Sequence, residues 1–147
     1  MIDPQFIHKI SRWCWLHKLE FIARRLQQLN YFLTTCDLPY TVKIGKRVRF
    51  QHYGCGVVIH HWTVFGDDVL IHPHVVIGGN VKGGIPMPVD IIVVGDRVQL
   101  GAGAKIIASA RLEIGEGAQI GANAVVLKSV PAGATAVGIP ARIITRR

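Results

Sequence analysis

The stretch from Ile59 to Gly78 repeats itself every six residues, and that period leaves few folds open. Ile59, Phe65, Ile71 and Ile77 mark the repeat, and Thr63, Val69 and Val75 follow the first three by four residues. A helix repeats at 3.6 and a half-buried strand at 2, so neither fits the whole run. Hexapeptides are the signature of a parallel β-helix, in which each unit is one short strand plus a turn and three units close a triangular coil. Strands then pair with copies above and below, and one aliphatic residue per unit builds a continuous inner column.

The rest of the chain can be phased against this run. Ile44-Gly45 and Phe50 keep the six-residue step, Ile59 comes nine later, and the phase therefore slips between Gln51 and Val58. Val94, Leu100, Ile106 and Leu112 resume it; after Ile106 the frame shifts by two and continues at Ile114, Ile120 and Val126. Ile77 to Val94 is 17 residues, not a multiple of six, so residues 79–93 are predicted to leave the coil as a loop. Gly79, Gly83, Gly84, Pro86 and Pro88 agree with that. Ser129-Val130-Pro131 closes the regular part, giving about five coils.

Residues 4–35 read as helix, with Asp3 as N-cap and Pro4 in the first turn. Phe6, Ile7, Ile10, Trp13, Cys14 and Leu16 are spaced helically, as are Phe21, Ile22, Leu26, Leu29, Phe32 and Leu33. One long helix or two with a break near His17–Glu20 both satisfy the pattern. Pro39 ends the helical run. The predicted organisation is an N-terminal helical segment, 1–36, and a hexapeptide-repeat domain, 37–147. The segment either caps the open end of the coil or, being basic and Trp-bearing, lies on an anionic membrane.

Charge supports that division. The net charge is +8. Residues 1–50 carry nine Lys/Arg against three Asp/Glu, and the remainder carries eight against six. Cys14, Cys36 and Cys55 have no disulfide or metal spacing, which favours a reducing compartment. No run reaches the ~20 apolar residues of a membrane span, and no signal peptide is visible. A cytoplasmic protein is expected, with peripheral contact at the inner membrane face through the basic helix, and nothing points to nucleic acid.

The unit Leu100-Gly101-Ala102-Gly103-Ala104-Lys105-Ile106 and the ending Ser129-Val130-Pro131 through Gly138-Ile139-Pro140-Ala141-Arg142 closely resemble hexapeptide-repeat acyltransferases. Asp37-Leu38-Pro39, Lys43-Ile44-Gly45, Phe50-Gln51-His52 and Gly56-Val57-Val58-Ile59 resemble the serine acetyltransferase branch, which includes small enzymes that acetylate sugars in surface-polysaccharide synthesis. The resemblance covers about residues 37–147. It implies a mainly β, left-handed parallel β-helix, a homotrimer, and acetyl-CoA lying between neighbouring subunits as co-substrate.

Acetyl transfer from a thioester to an alcohol needs a base for the hydroxyl proton and a donor for the developing oxyanion. His52 matches the family's general base, and Asp37, 15 residues earlier, matches the aspartate that orients it. Gly78 and Gly79 match the loop where CoA passes. Ala102 and Ala122 match positions flanking the pantetheine arm, and Arg142 a basic residue near the nucleotide end. His72 and His74 are candidates to line the acceptor site. His60, His61, His72 and His74 also raise a zinc reading, but their spacing lacks the converging triad that tetrahedral zinc requires, so no metal is expected. Cys55, close to His52, is read as a packing residue rather than a nucleophile.

Serine acetyltransferases carry an Arg-His pair after the Gly-Gly loop, where this chain reads Val89-Asp90-Ile91-Ile92. They also have a larger N-terminal helical domain and an aspartate where Gln51 stands. These departures favour a sugar or polysaccharide-precursor hydroxyl as acceptor. Serine O-acetylation is the alternative, and a catalytically silent assembly coil the reading from another class.

Overall fold

The computed structural model describes residues 2–79 and 92–144. Asp3 Oδ1 accepts from Gln5 N at 2.9 Å and starts helix α1 (Pro4–Leu16), with Pro4 in the first turn, where its missing N–H costs nothing. The run breaks after Leu16 and resumes as α2 (Glu20–Thr34), so the two-helix arrangement is the one adopted. α2 stops where Thr35 takes a left-handed conformation, φ 58°. Buried polar side chains hold the pair together: Ser11 Oγ donates to Ala23 O at 2.7 Å and Asn30 Nδ2 donates to Pro4 O at 3.0 Å.

Short strands then stack into three sheets. The first contains β1 (Lys43–Ile44), β3 (Thr63–Phe65), β6 (Ile92–Val94) and β9 (Leu112–Ile114). The second contains β2 (Arg49–Phe50), β4 (Leu70–Ile71), β7 (Gln99–Leu100), β10 (Gln119–Ile120) and β12 (Thr135–Val137), with β13 (Arg142–Ile144) antiparallel on the outer edge of β12. The third contains β5 (Val76–Gly79), β8 (Lys105–Ala108) and β11 (Val125–Val126). Every pairing other than β12–β13 is parallel. The fold is the left-handed parallel β-helix.

Register explains the irregular phase. Ile44 pairs with Phe65 and Phe50 with Ile71, steps of 21, while Leu100 pairs with Ile120 and Ile106 with Val126, steps of 20. A coil is thus three hexapeptides plus two or three residues, and the surplus appears in the sequence as frame shifts. Phe65 to Val94, Ile71 to Leu100 and Ile77 to Ile106 are each steps of 29. The stretch common to those three steps lies between Ile77 and Val94, which is where the extra length sits. The loop expected over 79–93 falls largely on residues 80–91, outside the described residues; Gly79, Ile92 and Val93 themselves are strand residues.

The inner column is the one the repeat predicts. Ile59, Phe65, Ile71, Ile77, Val94, Leu100, Ile106, Ile114, Ile120 and Val126 are all buried, as are Thr63, Val69 and Val75. The slip between Gln51 and Val58 is a 3-10 turn, Gln51–Gly54, with His52 and Tyr53 at φ 49° and 57°. The chain leaves the turn to rejoin the third face through the isolated parallel bridges Asp37–Val58 and Val58–Val76.

The helices cover the first coil. Arg12 Nη1 donates to the carbonyls of Tyr40, Thr41 and Val42 at 3.1, 2.9 and 3.3 Å, and Gln5 Nε2 to Val48 O at 3.0 Å. These donors occupy acceptors that an open coil would leave bare. The helix pair also leaves large apolar side chains open: Phe21 is 70% and Phe32 83% exposed, with Phe6 and Trp13 also in solvent.

Candidate active site

One corner of the coil, between the second and third sheets, collects most of the residues singled out in the sequence. His52 stands exposed in the 3-10 turn at one end. One coil along, His74 N donates to Cys55 O at 2.9 Å, and the His74 ring packs over Gly56, which has φ +65° and no room for a Cβ. His72 and Pro73 precede it. Gly103 N donates to Pro73 O at 2.9 Å, bringing Ala102 to the same corner, and Asn123 N donates to Ala102 O at 2.9 Å, bringing Ala122 there too. Ala102 and Ala122 are exposed. At the far end Val125 N donates to Gly138 O at 3.0 Å, and exposed Arg142 lies on β13. His52, His72, His74, Ala102, Ala122 and Arg142 therefore form one edge, stepped by coils.

Asp37, Gly78 and Gly79 sit elsewhere, on the third face. They line a groove of about 590 Å³ together with Val58, His60 and His61. Asp37 lies one coil outside Val58, and its backbone is pinned by Asp37 N to Val57 O at 2.8 Å and Ile59 N to Asp37 O at 2.9 Å. The His52 turn stacks on the same segment: Gly56 N donates to Thr35 Oγ1 at 3.3 Å, and a Cβ on Gly54 would lie 3.0 Å from Cys36 Sγ. Backbone stacking thus brings the Asp37 and His52 segments together. The carboxylate itself accepts from Gln27 Nε2 at 3.0 Å, and no hydrogen bond joins it to His52 among the described residues.

His60 and His61 stack with ring centroids 4.4 Å apart, and Trp62 meets both edge-on. Burial lowers the pKa of both imidazoles, and His61 lowers that of His60 further. The two rings are therefore held neutral near pH 7. Among the described residues no group of three or more His, Cys, Asp or Glu side chains is placed to hold a metal ion. Cys55 is exposed rather than packed inside, contrary to its reading as a buried apolar residue, because the turn that starts at Gln51 carries it outside the coil. Sequence reasoning missed Gln27 as a partner of Asp37: the two lie ten residues apart across a helix end, and no local pattern connects them.

The serine acetyltransferase of Helicobacter pylori (strain J99) is 44% identical to the chain over 134 residues, covering 89% of the chain and 74% of that protein. The chain belongs to the serine acetyltransferase family. The Mycobacterium tuberculosis serine acetyltransferase is 41% identical over 138 residues, covering 93% of the chain. A solved serine acetyltransferase in complex with CoA superposes with a TM-score of 0.85 at 34% identity, over 96% of the chain. The soybean serine acetyltransferase complexed with serine does so with a TM-score of 0.85 at 36% identity, over 96% of the chain. No family model matches the chain. The chain spans 57% of the M. tuberculosis protein and 55% and 56% of the two solved chains.

Membership corrects one expectation. The relatives are named serine acetyltransferases, so the sugar or polysaccharide-precursor acceptor inferred from the departures is overturned. That inference leaned on Val89-Asp90-Ile91-Ile92. Three of those four residues lie outside the described residues, so matching them position by position had no backbone register behind it. The similarity through the coil does have one.

Proposed function

We propose that the chain is an acetyl-CoA-dependent serine O-acetyltransferase. The observation that carries this reading is the similarity to serine acetyltransferases along nearly the whole chain. The coil corner supports it physically. An elongated thiol cofactor needs a long edge with little side-chain bulk, and Ala102 and Ala122 supply that between His52 and Arg142. Arg142 offers the cation suited to a phosphate.

In this reading His52 takes the proton from the serine hydroxyl as its oxygen attacks the thioester carbonyl, and the same proton then returns to the leaving sulfur. Asp37 supports the imidazolium, directly or by the charge it adds beside the His52 turn. His72 and His74, one coil below, face the acceptor. The working unit is a homotrimer, with the apolar helix face and the coil sides available for subunit contact, and the protein works in the cytoplasm. The basic helix pair also makes peripheral contact with the inner membrane face.

The test is direct. The purified chain is incubated with acetyl-CoA and either L-serine or a panel of nucleotide sugars, with CoA release followed by thiol titration and products by mass spectrometry. O-acetylserine is the expected product. CoA release that does not depend on serine overturns the reading.

A further inference from the structure

His52 is carried by a turn that its own residues do not favour. His52 and Tyr53 are both left-handed, at φ 49° and 57°, and Gly54 and Gly56 follow at 72° and 65°. Glycine takes that conformation freely, whereas a residue with a Cβ is strained there and stays only where its surroundings over-determine it. Within the turn, Cys55 N donates to His52 O at 3.2 Å and Val57 N to Gly54 O at 2.9 Å. Val58, where the chain leaves the turn, bridges Asp37 on one side and Val76 on the other, and each neighbour also grips the turn itself. On the Asp37 side Thr35 Oγ1 accepts from Gly56 N at 3.3 Å, and Cys36 packs against Gly54. On the Val76 side His74 N donates to Cys55 O at 2.9 Å, and the His74 ring rests on Gly56, leaving no room for a Cβ. His74 is itself left-handed, φ 60°, so both segments hold strained backbone at the point where they meet.

We infer that His74 is a positioning residue for His52: its imidazole, resting on bare Gly56, holds the turn that presents the base. This rests on the acyl-transfer reading above, in which His52 takes the serine proton. A base has to stand within hydrogen-bond reach of the proton it removes, and a small displacement of its backbone is enough to lose that reach. His74 thus serves the acceptor edge through the turn, not by removing a proton itself. The same corner repeats the packing further along, away from the base. Asn123, left-handed at φ 55°, lays its side-chain oxygen on Gly103, which again has no room for a Cβ. Asparagine is therefore a replacement for His74 that this corner already accommodates, and it tolerates the left-handed backbone.

The experiment compares wild type with His74→Gly, His74→Asn and Gly56→Ala, and repeats His74→Gly in a His52→Ala background. It records kcat, KM for serine and for acetyl-CoA, and the melting temperature. His74→Gly keeps the left-handed backbone and removes the ring; kcat should fall about tenfold, with both KM values within about twofold of wild type. His74→Asn should restore most of the loss, and Gly56→Ala, which displaces the ring while His74 remains, should reproduce it. Because the effect passes through the base, His74→Gly should cost nothing further once His52 is alanine. A His74→Gly protein with wild-type kcat overturns the inference, as does one that raises KM for serine alone, which would make His74 a direct acceptor contact. A full further loss in the His52→Ala background overturns it too. If His74→Gly melts below the assay temperature, His74→Asn decides: a folded His74→Asn protein with near wild-type kcat supports the packing role, and a folded one with the activity lost overturns it. A wild type without serine-dependent CoA release overturns the acyl-transfer reading and this inference with it, whereas an active His74→Gly protein overturns this inference alone.

Discussion

Gln27 Nε2 donates to Asp37 Oδ1 at 3.0 Å, linking the second helix to the first residue of the third face. The helix pair is thus more than an end cap, because it fixes one rim of the groove that also holds His60 and Gly79. Substituting Gln27 by Ala frees the Asp37 carboxylate. Turnover is expected to change by about tenfold or less, with folding intact, since an exposed or half-exposed side-chain bond contributes only about 1 kcal/mol. Steady-state kinetics alongside thermal melts measure both.

His52→Ala tests the base. Removing a general base lowers turnover by about 10² to 10⁴, and CoA affinity should be nearly unchanged, since His52 stands in a solvent-exposed turn at the end of the edge. Asp37→Asn should cost less, because the base remains and only its charge support is lost. Equal losses in the two variants would mean the pair does not divide its roles in this way.

His8 makes folding sensitive to acid. It is 3% exposed, its Nε2 has no hydrogen-bond partner among the described residues, and burial together with nearby Arg12 pushes its pKa from 6.5 down to about 4. The folded state therefore keeps His8 neutral while the unfolded chain takes up a proton below 6.5. Its contribution to stability is fully present above 6.5 and is lost as the pH falls toward 4, amounting to about 3 kcal/mol. His60 and His61 act in the same sense. Urea denaturation at pH 7.5 and 5 should show a larger drop for wild type than for His8→Leu, and parallel drops would reject the assignment.

Ile106 sits at the centre of the inner column, fully buried between Ile77 and Val126 in neighbouring coils. Ile106→Ala should destabilise the protein by about 3 kcal/mol through lost burial and the cavity left behind. Chemical denaturation with an unchanged m-value is the check. Surface Ala102, by contrast, should tolerate Ser with little change in stability.

The open face of the helix pair predicts association. Phe21 and Phe32 are too exposed for an isolated surface, and multi-angle light scattering is expected to report a trimer. Arg24 and Arg25 lie on α2 with Phe21, over which Arg25 places its guanidinium at 5.1 Å from the ring centroid. Binding of the protein to anionic vesicles should weaken steeply with added salt. A stable monomer at micromolar concentration, or vesicle binding that salt does not affect, would count against these two expectations respectively.

The column from Ile59 to Val126 could be read from the chain because the coil imposes one inward residue per unit, and each such residue reports its position without help from distant sequence. The corner edge came from the resemblance instead: His52, Ala102 and Ala122 were matched to the family's motifs, and it takes the strand ladders to bring their turns to one corner. The groove was not legible. Asp37, Gln27 and His60 come from a bridge residue, a helix and the end of a turn, and they meet only because the first coil stacks on the second. His60 attracted notice as a metal ligand, whereas its tautomer depends on a bond from Trp62 N and its packing on the missing side chain of Gly79. No spacing rule encodes either. The acceptor was misjudged where residues were compared without a ladder to align them.

A stack of parallel strands is in principle unending, since each coil offers the next the same row of amides and carbonyls. Here the last described strand, β13, pairs antiparallel with β12, and its outer edge runs the wrong way to template another parallel coil. At the opposite end Arg12 holds three consecutive carbonyls. Within the described residues both edges are thus blunted against end-on strand pairing, which leaves the coil sides and the exposed apolar helix side chains as the surfaces through which further copies could join.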